Sequence, residues 1–493
     1  MRRALLYLCL LLVWGNSLEM AYGAIPASSA WDVASTGNDA NGGAFANTGS
    51  CGTDFSQQDA AQVAFADLVI GATTTQLTSV AHPINATYPC NFINITGGAG
   101  CTTGWYQMVS QAAGVATMDR SVGTAASTCT GNLGGRLATV KQANTNLVAS
   151  NTVWFKGTQT FTSVMTLTAA GDSATSSTGP TSFVGYTTTH GDGGLATITT
   201  ATNSTALVDL ATRSGFLFQN ITFSNTAGTR ANCVQASGAG DSGLTTFEHD
   251  VFDGCQIGIA ADALVTSGIG ALVIQNTEVK NSVSHGVVNS GSISMLSSYI
   301  HANGGSGLRL SIGGSSSWAS VVVAHSVIRA NTAANISSVL NRNVANGGWR
   351  LLTIIESDVS SGTSDGISRT LGGTWDMIIP QNVINWSNGG FGVNCDTNCF
   401  TMNLFKGGAY GSNTSGNFNH VNATADVTLT ADPFTNAAGG DFSLNSTAGG
   451  GAAAKGTGFP GVTSFIGTGH NDIGALQSAA GGGAVTTGFG FTQ

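Results

Sequence analysis

From Phe216 onward the chain repeats one pattern, apolar-x-apolar-x-polar-x-x-apolar, and that repeat limits the fold more than any other feature. Its last apolar position falls at Phe223, Phe252, Val279, Ile300, Ile328, Val359 and Ile384, in steps of 29, 27, 21, 28, 31 and 25 residues. Five residues before each of these anchors stand Phe218, Phe247, Ile274, Met295, Val323, Ile354 and Ile379. Seven before stand Phe216, Thr245, Leu272, Ile293, Val321, Leu352 and Met377, and only Thr245 is not large and apolar. Positions −7 and −5 share one face of a strand, because side chains alternate along it. Between −5 and 0 the parity changes, so a bend must intervene. Position −3 lies in that bend and holds Asn220, His249, Asn276, Ser297, His325, Glu356 and Gln381, all able to hydrogen-bond. His249 and His325 are expected to serve the turn structurally. A second motif, Gly then apolar, follows at Gly258-Ile259, Gly286-Val287, Gly307-Leu308, Gly366-Ile367 and Gly390-Phe391.

Three short strands per repeat, in register, describe an all-β fold: a right-handed parallel β-helix whose coils stack about 4.8 Å apart. A hairpin sandwich would show two-residue turn signals, which are missing. A leucine-rich solenoid would need an L-x-x-L-x-L pattern, which is absent. Composition agrees. Charged residues are 8% of the chain, Gly is 69 of 493 residues and Pro only 7. Charge this low excludes a coiled coil and a charge-rich disordered chain. Lys+Arg total 16 against Asp+Glu 25, without a basic stripe, so no nucleic acid partner is expected.

The units 272–288 and 293–310 resemble secreted right-handed β-helix proteins of the pectin-lyase-like superfamily. The stretch 431–477 is similar to the closing segment of many bacterial β-helix proteins, and 153–167 to the superfamily's entry strands. The resemblance covers about half of the chain and implies a polysaccharide or cell-surface glycan as partner.

The first residues read as a secretory signal: basic Arg2-Arg3, an apolar run Ala4–Trp14, and small residues before a cleavage point near Gly23-Ala24. The run is too short for a membrane span, and no later stretch is long and apolar enough for one. The expected organisation is therefore a signal peptide at 1–23 and a disulfide-braced β capping module at 24–150. The β-helix at 151–400, a closing segment at 401–477 and a Gly-rich flexible tail at 478–493 follow. Within the module, strands are expected at Phe92–Ile95, Trp105–Val109 and Val115–Asp119. Eight cysteines remain after cleavage, at 51, 90, 101, 129, 233, 255, 395 and 399. An even number in an exported chain fits disulfides, with the pairing left open. Zinc spacing is absent.

Lyases of the resembled superfamily place Asp, Lys and Arg on the outer face of the Gly-apolar strand. Here that column reads Gln235, Ala260, Val288, Arg309, Ser337, Ser368 and Gly392, with Arg309 its one charge. No carboxylate cluster there suits Ca²⁺, so neither a metal nor another cofactor is expected. The hydrolase branch implies paired Asp motifs and Gly-His-Gly; the chain has only Ser284-His285-Gly286.

The richer column lies one residue after the anchors, and four consecutive coils give it Asp253, Lys280, His301 and Arg329. Two residues earlier on each strand, the same outer face adds Glu278, Tyr299 and Asp358. These seven are the expected ligand-binding residues, suited to an anionic sugar; His301, Lys280 and Arg329 are the weak candidates for catalysis. The plain alternative is a solvated ladder, Asp253 with Lys280 and Glu278 with Arg329. The leading expectation is a glycan-binding or adhesive rod, monomeric or homotrimeric. A polysaccharide lyase or glycoside hydrolase is the alternative, and a structural fibre or spike-like appendage the third.

Overall fold

The computed structural model describes residues 25–168, 179–200, 206–211, 213–225, 228–237, 244–261, 271–289, 291–312, 319–340, 350–370, 376–395, 407–421, 427–458 and 472–476. The expected signal peptide, the Gly-rich tail and Cys399 lie outside the described residues. The chain divides into two compact units, Met1–Trp154 and Phe155–Gln493.

The first unit contains a closed six-stranded antiparallel barrel, ordered Val63–Ile70, Gln76–Thr78, Val115–Met118, Gly104–Ala112, Phe92–Gly97 and Thr128–Leu133. The three strands expected from sequence are all in it. Closure leaves no free edge. Its core packs Phe65, Leu68, Ile93, Ile95, Met108 and Leu133, and disulfides Cys51–Cys90 and Cys101–Cys129 brace it.

The second unit is the parallel β-helix. Its first sheet stacks Thr181–Tyr186, Phe216–Gln219, Leu244–Glu248, Ala271–Gln275, Ser292–Leu296, Ala319–Ala324, Arg350–Ile355 and Asp376–Gln381. Among the described residues the second sheet has eleven strands, including Ile221–Ser224, Val251–Asp253, Glu278–Lys280, Tyr299–His301, Val327–Arg329, Asp358–Ser360 and Ile384–Trp386. The third, of ten described strands, carries the Gly-apolar motif, as in Ile259–Ala261, Val287–Asn289 and Leu308–Ile312. Consecutive coils pair in parallel; Phe223, Phe252, Val279, Ile300, Ile328 and Val359 form one register row. Inside, Phe183, Phe218 and Phe247 stack at 5.3 and 5.1 Å, and Phe223 on Phe252 at 4.8 Å. Cys233–Cys255 bridges two coils, and Cys395 is also disulfide-bonded.

The bend between the first and second sheets is one left-handed residue. Asn220, His249, Asn276, Ser297, His325, Glu356 and Asn382 have φ between 45° and 58°. L-residues lose about 1–2 kcal/mol in this region, and a ladder one residue later offsets the loss. Thr277, Ser298, Ser326 and Ser357 each accept from the backbone N–H of the preceding coil's ladder residue and donate back to a carbonyl two residues upstream. A second ladder of asparagines, buried except for the half-buried Asn413, follows the second sheet. Asn303 donates to Asn331 at 2.9 Å, Asn331 to Asn335 at 2.9 Å, Asn335 to Asn388 at 3.0 Å, and Asn388 to Asn413 at 2.9 Å. Gly362 occupies the rung that lacks an asparagine. Asn335 fills it from the neighbouring position, so a Cβ on Gly362 would meet its amide at 2.9 Å.

The coil at 376–395 departs from the expected register. Val359 pairs with Asn385 rather than Ile384, Leu352 with Ile378 rather than Met377, and the bend residue is Asn382 rather than Gln381. Met377, Ile378, Ile379 and Pro380 are all apolar in sequence, so hydrophobicity does not choose between the two registers. Asparagine does: Asn382 tolerates the left-handed turn, and Asn385 joins the ladder through Asn388 at 2.8 Å. The third-sheet partner of Ile367 is accordingly Val393, and Asn394 rather than Gly392 extends the outer column.

Candidate functional site

The outer face of the second sheet carries the charged cluster expected from sequence, on strands Val251–Asp253, Glu278–Lys280, Tyr299–His301 and Val327–Arg329. Backbone register sets Asp253, Lys280, His301 and Arg329 on successive rungs, and Glu278, Tyr299, Val327 and Asp358 on the parallel row.

Glu278 is the centre. Its carboxylate accepts from Lys280 Nζ at 2.8 Å and lies 2.9 Å from His301 Nε2. Burial works against its charge, but the hydrogen bonds from His301 and Lys280 outweigh that and hold the carboxyl below the usual range. Tyr299 stacks on the His301 ring at 3.9 Å and 16°. Burial raises the Tyr299 hydroxyl, against the opposing influence of Arg329. Asp253 accepts from Asn281 Nδ2 at 2.9 Å. Arg230, beyond the sequence analysis because it sits in an irregular turn, donates to the Asn281 carbonyl at 3.2 Å and borders the same cluster.

The expected pairing of the ladder is corrected here. Lys280 pairs with Glu278 on its own strand, not with Asp253. Arg329 does not reach Glu278; it donates to the Ala437 carbonyl and lies over the Phe442 ring at 5.3 Å.

The second correction concerns Asp358. Side-chain parity turns it away from the coil interior, yet it is fully buried. Residues 434–458 and 472–476 lie along the outside of the second sheet. There Phe434, Phe442, Leu444, Ala454, Ile473 and Ala475 pack on Val327, Ile384, Trp386 and Ala409. Asp358 accepts from the Ala475 N–H at 3.2 Å, and its other carboxyl oxygen is buried without a partner. Burial pushes this carboxyl up to about 8. Phe442 also meets the Tyr299 ring edge-on at 5.5 Å. Of the seven expected residues, Asp253, Lys280 and His301 stay partly exposed beyond this cover, Glu278 is buried at their centre and Tyr299 marks the boundary. Arg329 and Asp358 belong to the covered part.

The turn histidines differ from each other. His325 faces Glu356 of the next coil at 3.3 Å, whereas His249 is half exposed beside Glu248 at 3.8 Å.

On the third sheet the outer column reads Asp209, Gln235, Ala260, Val288, Arg309, Ser337, Ser368 and Asn394. Asp209, beyond the sequence analysis, accepts from Ala211 N–H, Ser237 N–H and the Ser237 hydroxyl, so it stabilises its own turn. Among the described residues no group of three His, Cys, Asp or Glu side chains is placed to hold a metal ion, and no helix is long and apolar enough to cross a membrane.

No protein-family model matches the chain, and no curated protein does. Solved structures do. It is similar to pectate lyase Pel9A at 15% identity, over 69% of this chain and 91% of that one, with TM-score 0.49. It is similar to a rhamnogalacturonan lyase at 9% identity, over 56% and 83%, with TM-score 0.33. The A-module of the Azotobacter vinelandii mannuronan C-5 epimerase AlgE4 aligns at 12% identity, over 57% and 91%, with TM-score 0.26. The likeness is one of fold alone.

Proposed function

We propose that this chain is an exported polysaccharide-recognition protein whose contact strip is Asp253, Lys280, His301 and Tyr299, fixed by Glu278. One observation carries the reading. A single carboxylate grips both Lys280 and His301 at the open margin of the second sheet, in a chain with only 8% charged residues. Donors and acceptors held in fixed positions beside a flat ring suit a sugar, whose hydroxyls need both and whose ring faces are apolar. The pairing also changes the ligand class. With Lys280 already neutralised by Glu278, and Asp253 adding a further carboxylate, the strip favours a hydroxyl-rich neutral glycan over the anionic sugar expected from sequence. The rungs of Asp253, Lys280 and His301 follow one another along the stacking direction of the coils, which suits an extended polymer. The disulfides support an oxidising, extracellular setting.

The test is retention of the secreted protein on a panel of immobilised neutral and acidic polysaccharides, scored also for new chain ends with and without Ca²⁺. The expected result is retention on a neutral polymer without new ends, weakened by Asp253→Ala and by Lys280→Ala. New chain ends would replace the binding reading with a lyase or hydrolase. No retention on any polymer, with a stable oligomer in light scattering, would replace it with a structural fibre.

A further inference from the structure

The outer column of the third sheet contains one cation, Arg309, and its surroundings are short of acceptors. Its neighbour is the half-buried His285 of the preceding coil. His285 Nδ1 accepts from the Ser306 N–H at 2.9 Å, and His285 Nε2 lies 2.7 Å from Arg309 Nη1. Burial, and then Arg309, lower the His285 pKa, so the ring is neutral at neutral pH. A neutral imidazole has one acceptor nitrogen. Two donors, Ser306 N–H and Arg309 Nη1–H, converge on this ring, so one N–H at the contact has no acceptor. Arg309 Nε is likewise buried without a partner. Among the described residues no carboxylate pairs with Arg309.

The seat is built into the fold. Gly305 packs against the imidazole so closely that a Cβ there would lie 2.6 Å from Nδ1. The Ser306 and Ser337 hydroxyls, 2.8 Å apart, adjoin on the next coil. Register puts Ser337 directly beside Arg309 and Val288 on its other side. The coil thus holds an imidazole against a guanidinium with nothing anionic between them. Buried donors without acceptors are costly, and a guanidinium pairs best with a planar or tetrahedral oxyanion.

We infer that Arg309 and His285 form a seat for a single oxyanion, a carboxylate or sulfate group carried by a ligand on the third sheet's outer face. This seat is separate from the second-sheet strip and does not depend on it. A bound oxygen would accept from Arg309 and from the His285 Nε2–H, and so satisfy the surplus donors.

The experiment follows the His285 ring resonances of the intact secreted protein by NMR. Sodium sulfate, glucuronate and a sulfated monosaccharide are titrated in turn, with sodium chloride at equal ionic strength as the control. Saturable shifts at His285 with at least one oxyanion and not with chloride are expected, together with an upward move of the His285 titration midpoint. The three probes separate free sulfate from a sugar-borne carboxylate and a sugar-borne sulfate. Arg309→Ala is expected to weaken the binding at least about tenfold, the loss of one charge-assisted hydrogen bond, and Arg309→Lys by less. No shift with any oxyanion, a shift equal to that with chloride, or full affinity in Arg309→Ala would overturn the inference. Should Arg309→Ala not fold, Arg309→Gln takes its place, read on the same His285 resonances, with the same tenfold loss expected and retained affinity overturning the inference.

Discussion

Two stretches of one sheet face differ sharply. Along the second sheet, the rungs at Asp253, Lys280 and His301 are partly open. The rungs at Val327, Asp358, Ile384 and Ala409 lie under the C-terminal stretch and are buried. Strand parity is the same in both, so direction along a strand does not decide exposure. What decides it is chain from more than a hundred residues downstream, with Ala475 lying on Asp358. The open stretch holds polar groups that satisfy one another and stay partly exposed. The covered stretch holds a hydrophobic core with one carboxyl enclosed in it.

The largest effect that sharpens this contrast is expected from Phe442→Ala. Phe442 packs on Tyr299, Phe434 and the Arg329 guanidinium. Its truncation should destabilise the second unit by about 3–5 kcal/mol in urea unfolding, the usual loss for a buried aromatic. A loss under 1 kcal/mol would break the claim that the stretch is core.

Asp358→Asn comes next and carries a pH signature. The carboxyl titrates near 3.8 when unfolded and near 8 when folded. Between those values the folded chain binds the extra proton, so stability is full below about pH 4 and falls as pH rises to about 8. The asparagine variant lacks that fall. Relative to wild type it should gain nothing at pH 4 and several kcal/mol at pH 8, with an upper limit of about 1.4 kcal/mol for each pH unit crossed between the two titration points. Thermal melts of both proteins from pH 4 to 9 check this; parallel curves would contradict the burial of Asp358.

Glu278→Gln, in the open stretch, should reduce stability by about 1–3 kcal/mol, because Lys280 and His301 lose a charged acceptor. Glycan retention should fall with it. Smallest is Lys280→Ala, expected at under about 1 kcal/mol because Lys280 is partly exposed, yet with a clear loss of retention. Stability and binding are thus expected to rank these residues in opposite orders across the two stretches.

Much of the fold was legible because inward positions repeat their chemistry. The apolar rows and the polar bend residues both recur at fixed offsets, and the stacked Phe223 and Phe252 are where that spacing puts them. Among the described residues the register departs at Met377–Pro380, where four successive apolar residues in the sequence suit either alignment and asparagine geometry chooses between them. The site was legible in its members but not in its extent. Outward parity identified Lys280 and His301, and it identified Asp358 equally, since nothing local to Asp358 announces Ile473–Ala475 above it. The partner of Lys280 was missed because cross-coil neighbours looked nearer than Glu278, two residues earlier on the same strand. Arg230 and Asp209 stand in irregular or very short segments, where the repeat offers no signal.

The claim that the open stretch recognises sugar while the covered stretch is core is tested most directly by amide hydrogen exchange on the purified protein, with and without a polysaccharide that retains it. The account predicts that the polymer adds protection over 251–255, 278–281 and 299–302, and leaves 358–360 and 472–476 unchanged because they are already protected. Added protection confined to other coils, or fast exchange at 472–476 in the free protein, would contradict it.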